Sequence, residues 1–294
     1  MELSTLISSM LRLGTPLLLA ALGVLVSAKG GIVNMGMEGN MLFGAFMSVY
    51  VTYLTGQPML GLLASIPAGI IYSLILGAFI IKGRGHQVVC GLGLNFVVIG
   101  CTTVLLSVVW NSSGYSTDVP RLPQVKLPFL GQQSISLFIT AVLVVAVWFF
   151  LEKTNTGLRV RSVGENPAAA DSVGVDVVKY QFLAMVIAGA LGGLAGAELA
   201  VGQMGYFIKQ MTASKGFLAY SAVIFAGYNP YAVVLTTMFI GLLDAVQMRA
   251  QTMLNIPGQF LLMLPYLVTL LALIFVGDKK KPKAAGKTYV RGSF

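Results

Sequence analysis

Long apolar runs separated by short polar stretches fill most of the chain. A helix that rises 1.5 Å per residue needs about 20 apolar residues to cross the hydrocarbon core of a bilayer. Most runs approach that length, and a few are shorter or broken by glycine and proline. The pattern therefore predicts an all-α polytopic membrane protein with about 8–10 transmembrane helices. The candidate spans are 6–28, 41–54, 59–81, 88–110, 134–151, 180–201, 216–228, 231–247 and 259–276.

A charged loop at 152–179 separates two of these runs. At its centre, Asn166 is a favourable N-cap and Pro167 suits the first helical position. Three alanines follow, and Gly174 is a natural residue just past a helix C-terminus. These residues predict a helix of about two turns. Because so short a helix is marginal by itself in water, we expect it to dock on a partner.

A glycine-rich stretch at 29–40 follows the first run and contains Asn34 and Glu38. Non-helical backbone at membrane depth is tolerated only where it is buried or lines a cavity. Five predicted spans precede the loop 152–179. If this loop faces the cytoplasm, the N-terminus lies outside, unless the glycine-rich stretch adds another crossing. The sequence leaves both topologies open.

The composition supports membrane insertion, since 56% of the residues are hydrophobic and only 10% are charged. A soluble domain has about 25% charged residues. The net charge of +9 is no sign of nucleic-acid binding, because many basic residues cluster after residue 278, where the positive-inside rule explains them. We therefore expect a single transmembrane domain at 1–277 and a basic tail at 278–294 in the cytoplasm of a bacterial cell.

The sequence contains no motif typical of a catalytic or cofactor site. Gly286, Lys287 and Thr288 resemble the end of a phosphate-binding loop, but Lys281 occupies the position of its first glycine. His86 is the only histidine and has no cysteine or acidic residue at ligand spacing. We therefore expect no metal, no cofactor and no enzymatic activity of the chain itself, and any ATP hydrolysis must reside in another subunit.

Several ionisable and amide side chains lie in or beside the apolar runs, where charges are costly and usually face a cavity or a partner. They either line a path for a neutral, hydroxyl-bearing solute or form hydrogen bonds between helices. Glu198 favours the second role, since it lies near the end of a span and could pair with Lys209. The full set is Asn34, Glu38, Asn95, Glu198, Gln203, Asp244 and Gln247.

Small residues recur at helical spacing in the run 180–201. Such surfaces allow membrane helices to approach closely. The pattern indicates helix packing within the chain, with sliding or subunit contact as the alternative. The residues concerned are Gly189, Gly192, Gly193 and Gly196.

Four motifs, at both ends and in the middle of the chain, resemble a known family. At 161–167 the chain reads R-S-V-G-E-N-P, which is similar to the cytoplasmic loop of permease subunits of ABC importers for ribose and related sugars, branched-chain amino acids and nucleosides. The sequence G-I-V-N-M-G-M-E-G at 31–39 resembles the sugar and nucleoside branch. The C-terminal P-x-Q-F-L-L-M-L-P-Y at 257–266 and G-K-x-Y-V-R at 286–291 resemble the nucleoside-type permeases.

The resemblance implies two permease subunits, often non-identical, that form the path in the membrane. It also implies two ATP-binding cassette ATPase subunits and a substrate-binding lipoprotein of the basic-membrane-protein type. On this view Asn34, Glu38, Asn95 and, from its position, Asp244 line the path. The residues that would couple the permease to the ATPase are Arg159, Arg161, Gly164, Glu165, Asn166, Pro167, Ala168 and Gly174.

The leading hypothesis is a permease subunit that imports nucleosides across the cytoplasmic membrane. A simple sugar such as ribose or galactose is the alternative solute, since the polar residues suit either. A transporter that works alone on an ion gradient is a further alternative, supported by the carboxylates of Glu38 and Asp244.

Overall fold

The computed structural model describes residues 3–127, 131–253, 263, 267, 281–287 and 289. The predicted span 259–276 and the motif at 257–266 therefore lie almost wholly outside the described residues. Six helices of the described part are long and apolar enough to cross a membrane. The predicted all-α polytopic fold is confirmed. The one sheet of the described part is a short antiparallel hairpin in the polar loop that follows residue 110.

The helices follow the apolar runs closely, because a bilayer leaves backbone groups no partner except within the helix itself. Two of them, α3 and α8, end in a π-helical turn, at Ala78–Lys82 and Glu198–Met204. The elements are α1 (Leu3–Lys29), α2 (Met37–Thr55), α3 (Pro58–Gly77), α4 (Gln87–Trp110), β1 (Gln124–Leu127), β2 (Gly131–Ser134), α5 (Ile135–Lys153), α6 (Asn155–Glu165), α7 (Pro167–Ser172), α8 (Val177–Ala197), α9 (Lys215–Phe225) and α10 (Pro230–Met253).

The core of the bundle is formed by α1, α2, α3 and α8. About 72% of the apolar window of α1 and of α8 is buried, against 22% for α4 and α5, which lie at the periphery. Glycines of α8 bring the backbones together. A Cβ on Gly193 would lie 2.1 Å from the carbonyl oxygen of Ser65, and one on Gly196 would lie 1.9 Å from that of Met41. Gly189 meets α3 at Gly69 and Gly192 meets α2 at Asn40. All four glycines therefore lie at contacts within the chain.

Contacts between distant segments show which loops lie together at each end of the bundle. At one end Gly31 packs on Gly164, and the amide of Ala284 donates to the carbonyl of Gly164 over 3.0 Å. We call this end the basic face, formed by 82–86, α6, α7 and the described residues of 281–289, which are 281–287 and Tyr289. At the other end, Gln133 Nε2 donates to Ser8 Oγ over 2.7 Å. We call it the hairpin face, formed by the first turns of α1, the loop 111–123 and the β1–β2 hairpin.

This division resolves the topology that the sequence left open. The first turns of α1 lie at the hairpin face, and its last residue lies beside α6 at the basic face. The chain therefore passes between the two ends five times before the loop 152–179, and the second pass is made by the stretch 30–36 together with α2. The start of α1 and this loop lie at opposite ends of the bundle.

Two helices begin inside the bundle. The stretch 30–36 is non-helical and largely buried, and it leads from the basic face to the first residue of α2, Met37, which packs against Gly23 and Gly192. After α8 the chain turns back from Gly205 at the hairpin face and reaches the start of α9 beside Glu38. Broken helices of this kind are tolerated at membrane depth only when protein groups satisfy their free ends.

Candidate functional site

Glu38 connects the starts of the two broken helices. Its carboxylate accepts hydrogen bonds from the amide of Ser214 at 2.9 Å, the amide of Gly216 at 2.7 Å and the hydroxyl of Thr212. Amide groups at a helix N-terminus have no partner within the helix and carry a partial positive charge. Glu38 therefore caps α9 from a neighbouring helix, and its side chain is only 8% exposed.

Asn95 holds the non-helical stretch in front of α2. Its Oδ1 accepts from the amide of Gly39 at 2.8 Å and from the hydroxyl of Tyr72 at 2.9 Å, and its Nδ2 donates to the carbonyl of Met35 at 2.9 Å. The side chain is buried and both of its polar atoms are bonded. Hydrogen bonds between segments are the alternative role that the sequence left open for residues of this kind. A role of Asn95 in lining the solute path stays a prediction.

The other two predicted path residues, Asn34 and Asp244, do not share the hydrogen bonding of Glu38 and Asn95. Asn34 is 1% exposed, and neither atom of its amide has a hydrogen-bond partner among the described residues. Asp244 of α10 forms an ion pair with Lys215 at 3.5 Å, so it too contacts the start of α9. The structure brings Glu38 and Asp244 to one short helix, whereas Asn34 lies in the stretch that leads into α2 and Asn95 of α4 bonds to that stretch.

The loop 152–179 contains the predicted short helix. Asn166 accepts a hydrogen bond from the amide of Ala169 at 3.1 Å, Pro167 is the first residue of α7, and Gly174 has φ +82° just after the C-cap. The predicted caps of this helix are confirmed. A second helix, α6, precedes it. Its N-cap Thr154, which accepts from the amide of Gly157 at 3.0 Å, is the signal that could have revealed it.

Two of the predicted coupling residues make contacts within the chain. Arg161 pairs with Glu152 at 3.2 Å, and Arg159 donates to the hydroxyl of Tyr180 over 2.7 Å. Gly164 is buried against the end of α1, where a Cβ would lie 2.1 Å from the carbonyl oxygen of Lys29. By contrast, Glu165 and Asn166 are exposed, and Pro167 and Ala168 are partly exposed. The exposed positions of the loop therefore include the junction of α6 and α7 and the residues after α7.

The described residues of the segment 281–289 lie across the same face, which the sequence did not reveal. Besides the bond between Ala284 and Gly164, the hydroxyl of Tyr289 donates to Asp171 Oδ2 over 3.0 Å. Gln87 Nε2 donates to the carbonyl of Lys287 over 3.3 Å, while Gln87 Oε1 accepts from the amide of Val33 at 2.7 Å. The segment thereby links α6 and α7 to the start of α4 and to the stretch that precedes α2.

A polar cavity of about 150 Å³ opens at the hairpin face. Its floor includes Glu198, which is 2% exposed and accepts a hydrogen bond from Ser136 Oγ. The predicted pairing of Glu198 with Lys209 is wrong, since Lys209 is exposed and its amide bonds to the loop carbonyl of Gly114. The remaining lining comes from α1, the loop 111–123, the hairpin, α5 and the π-helical turn. These residues are Arg12, Thr15, Arg121, Gln124, Gln132, Gln133, Ser134, Leu137, Gly202 and Gln203.

Residues 6–276 match the family described as branched-chain amino acid transport system / permease component. The match covers nearly all of the chain. The chain belongs to this permease family. It is thus a multi-pass membrane protein and a transporter permease, as its helices and the loop 152–179 had indicated.

Individual relatives extend this result. The chain is 34% identical to the guanosine ABC transporter permease protein NupQ of Bacillus subtilis, over 99% of this chain and 98% of that protein. It is 33% identical to the nucleoside ABC transporter permease protein NupC of Lactococcus lactis, over 98% of both chains. A putative glucose ABC transporter permease protein of Haloferax volcanii, TsgC13, is 32% identical over 84% of this chain and 78% of that protein.

A solved structure supports the fold independently of close sequence similarity. PsaBC from Streptococcus pneumoniae, in complex with a Fab, superposes with a TM-score of 0.55 over 94% of this chain and 91% of the matched chain. The two chains are only 13% identical, so this likeness concerns the fold alone.

Proposed function

We propose that the chain is the permease subunit of an ABC importer for nucleosides. The observation that supports this most directly is the similarity, at about one third identity over nearly the whole chain, to NupQ and NupC, whose names specify guanosine and nucleosides. The motif at 286–291 resembles the same nucleoside-type permeases, and the motif at 31–39 resembles the sugar and nucleoside branch. ATP hydrolysis would occur in a separate cassette subunit, and a second, non-identical permease and a lipoprotein receptor would complete the transporter.

In this proposal the basic face lies in the cytoplasm of a bacterial cell. Lysine and arginine are enriched in cytoplasmic loops, and their bias sets the orientation of a membrane protein. The basic face carries the larger share: Lys29, Lys82, Arg84, Lys153, Arg159, Arg161, Lys179, Lys281, Lys283 and Lys287, against Arg12, Arg121, Lys126, Lys209 and Arg249 at the hairpin face. The segment 281–289 is then cytoplasmic, and α1 begins outside.

The short helix α7 and its flanks form the contact with the ATPase in this proposal. Val173 is 77% exposed directly after α7, and Glu165 and Asn166 are exposed directly before it. An exposed apolar side chain between polar neighbours suits a protein groove better than water. Because α7 is joined to α8 and, through 281–289, to the start of α4, movement of α7 would be passed to the bundle.

The coupling role is tested by Val173→Arg in a transporter reconstituted from this chain, the second permease, the ATPase subunits and the lipoprotein receptor. Val173→Ile is the matched control. Val173 makes little contact within the chain, so both variants should insert normally. We expect Val173→Arg to abolish ATP-driven uptake while the ATPase subunits retain hydrolysis, and Val173→Ile to transport at the normal rate. The double variant Arg161→Ala with Glu165→Ala should uncouple in the same way. Normal uptake in Val173→Arg and in the double variant would refute the coupling role.

The solute is tested by competition during uptake of a labelled purine nucleoside into proteoliposomes that contain the complete transporter. We expect unlabelled nucleosides to compete and free ribose, galactose and glucose not to compete. The similarity to TsgC13 makes a sugar the second candidate. Competition by ribose equal to that by a nucleoside would favour the sugar.

A third experiment separates an ABC permease from a transporter that works alone. The chain by itself should catalyse no uptake in liposomes under a proton or sodium gradient, because Glu38 and Asp244 are occupied by contacts with α9. Gradient-driven uptake without any ATPase would overturn the proposed function.

A further inference from the structure

We propose that the cavity at the hairpin face binds the sugar ring of the solute, with Glu198 as the acceptor for its hydroxyl groups. This site lies within one subunit and differs from the path predicted at Asn34, Glu38, Asn95 and Asp244. The inference rests on the proposed function, because it concerns the solute that the importer carries.

The cavity is assembled by segments far apart in the sequence. Arg12 comes from α1, Arg121 from the loop 111–123, Gln132 from β2, and Glu198 and Gln203 from the π-helical turn that ends α8. Hydrogen bonds hold the walls in place: Gln133 Nε2 bonds to Ser8, and Gln203 Nε2 donates to the carbonyl of Arg12 over 2.6 Å. The buried floor and the bonded walls define a built site rather than a surface depression.

The π-helical turn explains why a carboxylate can face this cavity. Short π-helical turns inside α-helices are frequently found at functional sites. Here the turn contains Gly202, on which a Cβ would lie 2.0 Å from Glu198 Oε2. Any larger residue at 202 would therefore displace the carboxylate of Glu198. The absence of a side chain at Gly202 leaves room for this carboxylate.

The chemistry of the lining fits a ligand with several hydroxyl groups. A hydroxyl group both donates and accepts hydrogen bonds, and the cavity offers a carboxylate and amide oxygens as acceptors and guanidinium and amide groups as donors. A carboxylate that bonds to ribose hydroxyls is a recurrent arrangement in nucleotide-binding proteins.

The size of the cavity limits what enters it. Its volume of about 150 Å³ suits one sugar ring better than a whole nucleoside. A nucleobase attached to the ring would extend toward Arg12 and Arg121, which are exposed at the rim. Guanidinium groups stack on aromatic faces, so these two residues could hold the base.

Equilibrium binding of a tritiated purine ribonucleoside to the complete transporter in nanodiscs, without receptor, tests this site. We expect Glu198→Gln to weaken binding at least tenfold and Gln132→Leu to weaken it severalfold. The 2′,3′-dideoxynucleoside, which lacks the hydroxyl pair, should compete at least tenfold less well than the parent. Glu152→Gln at the basic face is the matched control and should bind normally.

Gln132 is exposed on β2, so its substitution leaves folding intact even if Glu198→Gln impairs it. Normal binding by Gln132→Leu, or equal competition by the dideoxynucleoside, would overturn the proposed site. Uptake of nucleosides by the unaltered transporter is measured alongside. If uptake occurs and the variants bind normally, only the site is refuted, whereas absence of nucleoside uptake refutes the proposed function itself.

Discussion

Glu38 and Glu198 are two buried carboxylates of the same bundle with different surroundings. Glu38 is 8% exposed and accepts from two backbone amides and a hydroxyl at the start of α9. Glu198 is 2% exposed, bonds to the Ser136 hydroxyl and the Gln203 side chain, and faces a polar cavity. Similar burial therefore accompanies two different roles: one carboxylate completes the fold, and the other is placed where a ligand could reach it.

The difference lies in the donors. Free amides at a helix N-terminus must be bonded when they are buried, and a carboxylate from α2 does this for α9. A hydroxyl donor such as Ser136 has no comparable need, since a hydroxyl can rotate to another acceptor. The sequence placed Glu38 on the path and gave Glu198 a structural role. The contacts instead favour a structural role for Glu38 and a ligand-binding role for Glu198. A role of Glu38 in lining the solute path stays a prediction.

The largest expected effect on stability belongs to Glu38→Gln. The amide group of glutamine would turn a donor toward the donors of Ser214 or Gly216, so at least one buried bond is lost. A hydrogen bond to a charged group contributes about 1.5–3 kcal/mol, and a loss of roughly 3 kcal/mol is expected overall. Thermal unfolding of the purified chain in detergent measures this.

The control for this variant is Glu165→Gln, which changes an exposed carboxylate and should shift stability by less than about 0.5 kcal/mol. If Glu38→Gln were as stable as this control, the proposed cap on α9 would be wrong.

Asn95→Leu should have the next largest effect. Leucine is close in size but leaves the amide of Gly39, the carbonyl of Met35 and the hydroxyl of Tyr72 without their partner. An unsatisfied buried group costs about 1–3 kcal/mol, so the loss of three partners should cost roughly 3 kcal/mol, close to the effect of Glu38→Gln.

Hydrogen exchange at 35–39 locates the effect of Asn95→Leu. We expect faster exchange there than in the unaltered chain, with α10 unchanged. Uniformly faster exchange over the whole bundle would show that Asn95 does not act locally on the start of α2.

Glu198→Gln should alter stability less and ligand binding more. Glutamine retains an oxygen that can accept from Ser136 Oγ, so the expected loss is about 1 kcal/mol or less. Thermal unfolding of this variant beside Glu38→Gln makes the comparison direct. Equal destabilisation by the two variants would mean that Glu198 also serves the fold.

The sequence predicted elements governed by local rules and missed those that depend on distant segments. The helix α7 was predicted with its caps, because Asn166, Pro167 and Gly174 act on their own neighbours. The role of Glu38 could not be predicted, because its partners are more than 170 residues away. The segment 281–289 and the cavity around Glu198 were missed for the same reason, since contacts between distant segments create both.

The smallest effect is expected from the second carboxylate at α9, Asp244. Its ion pair with Lys215 spans 3.5 Å, and both side chains are partly exposed. Partly exposed pairs contribute up to about 1 kcal/mol, so Asp244→Asn should cost roughly 0.5 kcal/mol. A double-mutant cycle with Lys215→Met isolates the pair from other effects of each substitution. A coupling energy above about 2 kcal/mol would show that Asp244 holds α9 as firmly as Glu38 does. A small coupling energy instead leaves Glu38 as the carboxylate that fixes the start of α9, because backbone amides, unlike Lys215, cannot move to another partner.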